Sequence, residues 1–63
     1  MKSFTAKNPK QLNLCLRLMH AEKVSFVVKV RETERKKIYF EVTVEASRER
    51  LIDLEEKYRI LIS

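Results

Sequence analysis

Hydrophobic and polar positions follow two kinds of spacing along this chain, and their order predicts its secondary structure. Alternation with a period of two, typical of half-buried strands, runs over Lys2–Lys7, Val24–Arg31 and Lys37–Ala46. Apolar residues at helical spacing run from Pro9 to about Glu22 and again after Ser47. We find no internal repeat or linker. The chain is therefore expected to form a single domain, residues 1–63, in the order β-α-β-β-α.

The start of the first helix is the most specific local signal. Asn8 is a favourable N-cap, Pro9 suits the first helical position, and Gln11 stands where a capping box places its glutamine. The apolar face of this helix is wider than the stripe of about 100° needed to rest on a sheet, because Leu14 and Leu18 extend it. We expect that extra surface to contact a second helix or another subunit. The central stripe consists of Leu12, Cys15, Leu16 and Met19.

The second and third strands are predicted to form an antiparallel hairpin with one apolar side. Because inward residues must face inward residues, alternation restricts the register to every second position. The favoured register has a three-residue loop, Thr33-Glu34-Arg35, whose left-handed position normally prefers glycine or asparagine. Only Arg35 is available there, so we expect the loop to be strained, longer or mobile. The predicted pairs are Val30 with Ile38, Val28 with Phe40, and Phe26 with Val42.

The C-terminal segment admits two interpretations. Ser47 is an N-cap, and Leu51, Leu54 and Tyr58 form the buried stripe of a second helix. Leu61 would continue that helix, whereas the apolar run in residues 59–63 suits a short final strand. We favour the strand.

With that strand, the element order resembles the ferredoxin-like plan over the whole chain. The resemblance implies an α+β fold of two layers, in which an antiparallel sheet carries two helices on one face. It rests on element order alone, and this plan hosts many unrelated functions.

Composition excludes several kinds of functional site. The chain has no glycine, which removes phosphate loops, dinucleotide fingerprints, nucleophile elbows and EF-hand turns. One cysteine and one histidine cannot form an internal disulfide or a Cys/His zinc site. Cys15 and His20 would project about 140° apart on one helix and cannot act as a catalytic pair. We therefore expect a non-enzymatic protein with no cofactor and no metal.

The net charge is +5, and most of it lies in the first third of the chain. Such an excess favours encounter with polyanions, although it also simply keeps a small domain in solution. Nucleic-acid binding through the N-terminal third and the 31–37 hairpin is therefore the alternative function. The candidate anion or nucleic-acid contacts are Lys2, Lys7, Lys10, Arg31, Arg35, Lys36 and Lys37.

The outward face of the sheet offers little for base stacking. Tyr39 is its one aromatic residue, and Glu41 and Glu45 on the same face are expected to repel phosphates. Proteins of the RNA-recognition class have the same element order but carry a glycine-aromatic signature that this chain lacks.

The favoured function is a non-enzymatic binding or protein-interaction module of unknown role. We expect it to form a homodimer through either the sheet or the helices, because a 63-residue chain gains stability by burying a second surface. The strand at 24–31 would lie at the edge of the sheet, which Lys29 and Arg31 partly protect. No apolar run exceeds three residues and no signal peptide is evident, so we expect a cytoplasmic homodimeric interaction module with no membrane contact. The candidate self-association residues are Leu14, Leu18, Val27 and Tyr39.

Overall fold

The computed structural model describes residues 1–63 as a small α+β domain. A three-stranded antiparallel sheet has the order β1-β3-β2, and two helices pack against it. The predicted order of the first five elements is confirmed, with ends shifted by a residue or so. The elements are β1 (Lys2–Ala6), α1 (Pro9–Ala21), β2 (Ser25–Glu32), β3 (Ile38–Glu45) and α2 (Arg48–Ile62).

The predicted N-cap of α1 is confirmed. The backbone N–H of Gln11 donates to the Asn8 side chain at 2.9 Å, and Pro9 occupies the first helical position. The Gln11 side chain differs from a capping box, because its Oε1 accepts from the backbone N–H of Lys7, also at 2.9 Å. This bond ties the end of β1 to the first turn of α1.

The predicted hairpin register is wrong by two residues. The faces of the strands are nevertheless correct, because a shift of two preserves alternation. The loop spans residues 33–37 instead of three residues. The observed pairs are Phe26 with Val44, Val28 with Val42, Val30 with Phe40, and Glu32 with Ile38.

Hydrogen bonds within the loop explain the longer connection. The N–H of Lys36 donates to the Thr33 carbonyl, and the N–H of Thr33 donates to the Lys37 carbonyl, each at 2.9 Å. The Thr33 hydroxyl also accepts from the Lys37 N–H at 3.2 Å. Lys36, not Arg35, takes the left-handed backbone position, with φ of 61°. Five residues thus close the hairpin in a chain that has no glycine for a tighter turn.

The favoured C-terminal strand is also wrong, because α2 continues to Ile62. Ile62 lies four positions after the buried Tyr58 and packs against the core, which continues the helical stripe. The Ser63 hydroxyl donates to the Ile60 carbonyl at 2.9 Å and satisfies one free acceptor of the last turn. The sheet consequently has three strands, not four.

The core lies between one face of the sheet and both helices. Even-numbered side chains of β1 and β3 meet residues of α1 and α2 in one cluster, so both helices cover the same face. Only nine residues of the chain are buried, which makes this a small core. The cluster consists of Phe4, Cys15, Met19, Val42, Val44, Leu51, Leu54 and Tyr58.

The helices do not cover the whole length of the hairpin. The 13 residues of α1 span about 20 Å, whereas the eight residues of β3 span about 27 Å. β1 ends opposite Phe40, so the tip of the hairpin also lacks a third strand. Three side chains near the tip point to the helical side of the sheet and were predicted to be buried. Because neither helix covers them, they are exposed: Val28 by 38%, Val30 by 64% and Ile38 by 59%. We call these three residues the apolar strip.

Replacing Lys23 by glycine is expected to stabilise the fold by about 0.5–1 kcal/mol. Lys23 follows α1 with φ of 55°, and the Val24 N–H donates back to the Met19 carbonyl at 3.2 Å, as in a Schellman C-cap. This position favours glycine because a Cβ atom is strained there. Urea unfolding of Lys23→Gly and the exposed control Lys10→Gly checks this, since the control should lose stability in its helix. Equal losses in both variants would contradict the prediction.

Candidate binding surfaces

The two edges of the sheet differ in how their backbone groups are used. In an antiparallel pair, alternate residues direct their N–H and C=O groups to the neighbouring strand and away from it. With this pairing, odd-numbered residues of β1 direct these groups away from β3. Two of the outward groups already have partners: the Tyr58 hydroxyl donates to the Thr5 carbonyl, and Gln11 accepts from the Lys7 N–H, both at 2.9 Å. The edge at β1 is thus partly closed by side chains.

The edge at β2 is open. The Thr33–Lys37 bond sets the phase of the β2–β3 ladder, so odd-numbered residues of β2 bond to β3 and even-numbered residues face outward. No side chain bonds to the outward N–H or C=O groups of Phe26, Val28 or Val30. The same strand contributes two of the three residues of the apolar strip. β2 therefore combines free backbone donors and acceptors with exposed valines.

The four candidate self-association residues are separated by the fold. Leu18 packs against the core, and half-buried Leu14 lines a small hollow with Leu61 and Ile62 between the start of α1 and the end of α2. Val27 and Tyr39 lie on the uncovered face of the sheet, where Val27 is exposed on β2. Of these residues, only Val27 adjoins the open edge.

Two predicted basic residues come together on the uncovered face. Lys7 follows β1 and Lys37 precedes β3, and both line a hollow of about 580 Å³ with Tyr39. The remaining lining residues are Thr5, Thr33 and Ile38. We call this the tip hollow. Neither of its lysines lies within 4.0 Å of a carboxylate, so both ammonium groups are unpaired.

Glu41 and Glu45 both lie on the uncovered face, as predicted from the sequence. Glu41 lies 3.4 Å from the Arg31 guanidinium, which partly offsets its charge. Glu45 is opposite Ser25 at the other end of the sheet, about 20 Å along β3 from Tyr39. The basic end of the uncovered face is therefore the end that contains the tip hollow.

The other candidate basic residues do not join this cluster. Lys2 pairs with Glu55 of α2. Lys10 lines the small hollow at the start of α1. Arg35 and Lys36 are exposed in the hairpin loop.

Sequence reasoning missed Thr5, Thr33 and Ile38 as lining residues of the tip hollow, and it missed the exposure of the apolar strip. Thr5 and Thr33 are odd-numbered, like Tyr39, so alternation already places them on its face. The strip could have been found by comparing the predicted length of α1 with that of the hairpin. Neither the alternation nor the difference in length is a recognisable motif. The three-dimensional structure is therefore needed to identify these residues as part of a surface.

The groups most suited to catalysis lie apart. Cys15 is fully buried, and burial raises the pKa of its thiol to about 11. His20 is exposed at the end of α1, and its ring meets the edge of Phe26 at a centroid distance of 6.1 Å. No three His, Cys, Asp or Glu side chains are grouped as metal ligands would be.

Neither helix is long and apolar enough to cross a membrane. No protein-family model matches the chain, and comparison with curated proteins and with solved structures gave no match either.

Proposed function

We propose that this chain is a non-enzymatic interaction module that acts as a homodimer through its β2 edge. The single observation that supports this most is the contrast between the two edges of the sheet. β1 has side chains bonded to its outward groups, whereas β2 offers free groups beside exposed valines. A strand edge with free backbone groups can pair with another strand, and a second copy of β2 has the same pattern of free groups. Lys29 and Arg31 protect this edge only in part, because their side chains lie on the uncovered face.

The charges along β2 favour one antiparallel register. In that register Val28 faces Val28 of the second copy, and Val30 faces Phe26 of the second copy. On the uncovered face, Lys29 then faces Val27 and no like charges meet. A register shifted toward the loop would place Lys29 opposite Lys29 or Arg31 of the second copy, which are like charges. A register shifted toward Ser25 would reduce the number of paired residues. The apolar strips of both copies are adjacent in the favoured register.

The size of the chain supports pairing as well. A stable interface typically buries about 800 Å² per partner, which is roughly one sixth of the 4998 Å² surface of this chain. Nine buried residues supply a small core, so the added burial would contribute noticeably to stability.

The ferredoxin-like plan, without its fourth strand, is part of the same proposal. β1 and β2 are each antiparallel to β3 and so run parallel to each other with β3 between them, as in a split β-α-β unit. A cytoplasmic location is also proposed, supported by the single buried thiol.

Replacing Val30 by lysine is expected to raise the dimer dissociation constant by about tenfold or more. Each copy would place an ammonium group against Phe26 of the other, on the apolar side of the paired edges. Ile52→Lys is the matched control, because Ile52 is 60% exposed on α2, remote from β2. Sedimentation equilibrium of the three proteins measures the effect. A monomeric parent protein throughout the micromolar range, or equal dissociation constants for both variants, would contradict the proposal.

Cysteine cross-linking tests the register in the same assay. The Cα atoms of the two Val28 residues would be about 5.5 Å apart, which suits a disulfide, so oxidised Val28→Cys should form a covalent dimer. Val27→Cys is the control, because its two copies would be offset along the strands. Cross-linking of Val27→Cys alone would overturn this register.

A further inference from the structure

We propose that the tip hollow binds one nucleotide unit of a single-stranded nucleic acid, with the base on Tyr39 and the phosphate between Lys7 and Lys37. The hollow is lined from β1, β3 and the hairpin loop and not from β2. This function is therefore separate from the pairing proposed for the β2 edge.

The cationic side of the hollow suits a phosphate. Lys7 and Lys37 come from two different segments and have no carboxylate partner, so neither charge is already offset. Thr33 adds a hydroxyl whose oxygen already accepts from the Lys37 N–H, leaving its proton to donate. Two ammonium groups and a hydroxyl donor match the acceptor oxygens of a phosphodiester.

The apolar side of the hollow suits a base. Tyr39 is half-buried and lines the hollow, whereas the side chain of Ile38, the next residue of the strand, points to the helical side of the sheet. An aromatic ring that lines a concavity can be reached by an unstacked base and not by one held inside a duplex. Stacking on an aromatic ring also tolerates any base, so this site predicts little sequence preference.

The surroundings favour a strand over a free nucleotide. Arg35, Lys36 and Lys37 outnumber Glu34 in the hairpin loop, so residues 33–37 carry a net charge of +2. Glu41, on the same face as Tyr39, lies 3.4 Å from the Arg31 guanidinium. Neighbouring phosphates of a bound strand would thus meet a net positive charge.

Fluorescence anisotropy with a labelled oligothymidylate of about ten nucleotides tests the proposal at low salt. We expect Lys7→Gln/Lys37→Gln to weaken binding about tenfold or more and to lower the slope of log Kd against log salt by about 0.7, the value for one phosphate contact to a single strand. The charge-matched control is Lys23→Gln/Arg48→Gln, which removes two unpaired cations at the other end of the molecule. The control should bind nearly as the parent protein does.

Two variants of Tyr39 test the stacking role. Tyr39→Phe keeps an aromatic face and should bind as the parent protein does, whereas Tyr39→Leu should bind about tenfold more weakly. Amide chemical-shift changes on adding the oligonucleotide should be largest at Lys7, Thr33, Lys37 and Tyr39.

Several results would overturn the site. One is equal weakening by the two double variants, since binding would then follow net charge alone. Another is unchanged binding by Tyr39→Leu. Competition with unlabelled compounds gives a further test. If a duplex of the same sequence, or thymidine monophosphate, displaced the labelled strand as effectively as the unlabelled single strand does, single-stranded nucleic acid would be rejected as the ligand.

Discussion

Truncating Leu54 to alanine is expected to lower the free energy of unfolding by about 2–5 kcal/mol. Leu54 is fully buried at the centre of the cluster that joins α2 to the sheet. Alanine has the highest helix propensity, so the change does not weaken α2 itself. The loss therefore reports the burial of the side chain and the cavity that it leaves.

This loss is large relative to the stability that the chain is expected to have. Domains typically gain about 0.05–0.15 kcal/mol per residue, which gives about 3–9 kcal/mol for 63 residues. Leu54→Ala is thus expected to leave a substantial unfolded fraction at 37 °C. If the chain pairs through β2, raising the protein concentration should restore part of the loss, because pairing stabilises the folded state.

Urea unfolding followed by circular dichroism measures the change at two protein concentrations. Ile52→Ala is the matched control, since it removes an exposed apolar residue from the same helix and should change stability by no more than about 0.5 kcal/mol. Similar midpoints for Leu54→Ala and the parent protein would show that the described core does not hold the fold together.

Alternation and capping made most of this fold predictable, because both depend on residues that are close in sequence. Asn8 and Ser47 cap the two helices as expected, with their side chains accepting from Gln11 and Arg50. The inward faces of all three strands are also correct. These features follow from local backbone geometry, which sequence spacing records directly.

The errors arose where two local solutions were both acceptable. Alternation allows registers that differ by two residues. The choice between these registers depended on the loop geometry around Thr33 and Lys36, and the sequence has no glycine there to mark the left-handed position. The segment after Tyr58 suited either a strand or a helix. The helix is favoured in the fold because Ile62 packs on the core, and because Tyr58 and Gln11 already occupy groups at the β1 edge where a fourth strand would pair.

The candidate surfaces depended on tertiary geometry even more strongly. Lys7 and Lys37 were predicted among seven basic residues of one nucleic-acid surface, and the strand order β1-β3-β2 selects these two for one hollow. The apolar strip exists because the hairpin is longer than the helices that cover it. Such differences in length are set by packing and not by any short motif.

The buried thiol should make the fold lose stability at alkaline pH. The pKa of Cys15 is raised by burial from 9.0 to about 11 in the folded chain. Below pH 9 the thiol is protonated in both the folded and the unfolded chain, and its full contribution to the free energy of unfolding is present. Between pH 9 and 11 the unfolded chain releases this proton while the folded chain keeps it, so stability falls by up to roughly 1.4 kcal/mol per pH unit. The total loss is about 2–3 kcal/mol.

Two other groups act in the same direction at higher pH. The pKa of Tyr58 is raised by burial and, to a smaller extent, by the charge of the Cys15 thiolate. Hydrogen bonds to Glu22 and Asp53 raise the pKa of Lys57. The contributions of Tyr58 and Lys57 to stability are present below the usual pKa of each group, near 10. They are lost as the pH rises further.

Cys15→Ala separates the thiol from these groups. Alanine does not titrate, so the variant should lose less stability than the parent protein between pH 9 and 11, whatever its stability at pH 8. Urea midpoints at intervals of pH measure this difference. Reaction of the thiol with a disulfide reagent at pH 8 gives an independent readout, because a buried and protonated Cys15 should react only as fast as the chain unfolds. Parallel pH curves for the two proteins, together with rapid reaction of the folded chain, would mean that Cys15 is neither buried nor held protonated.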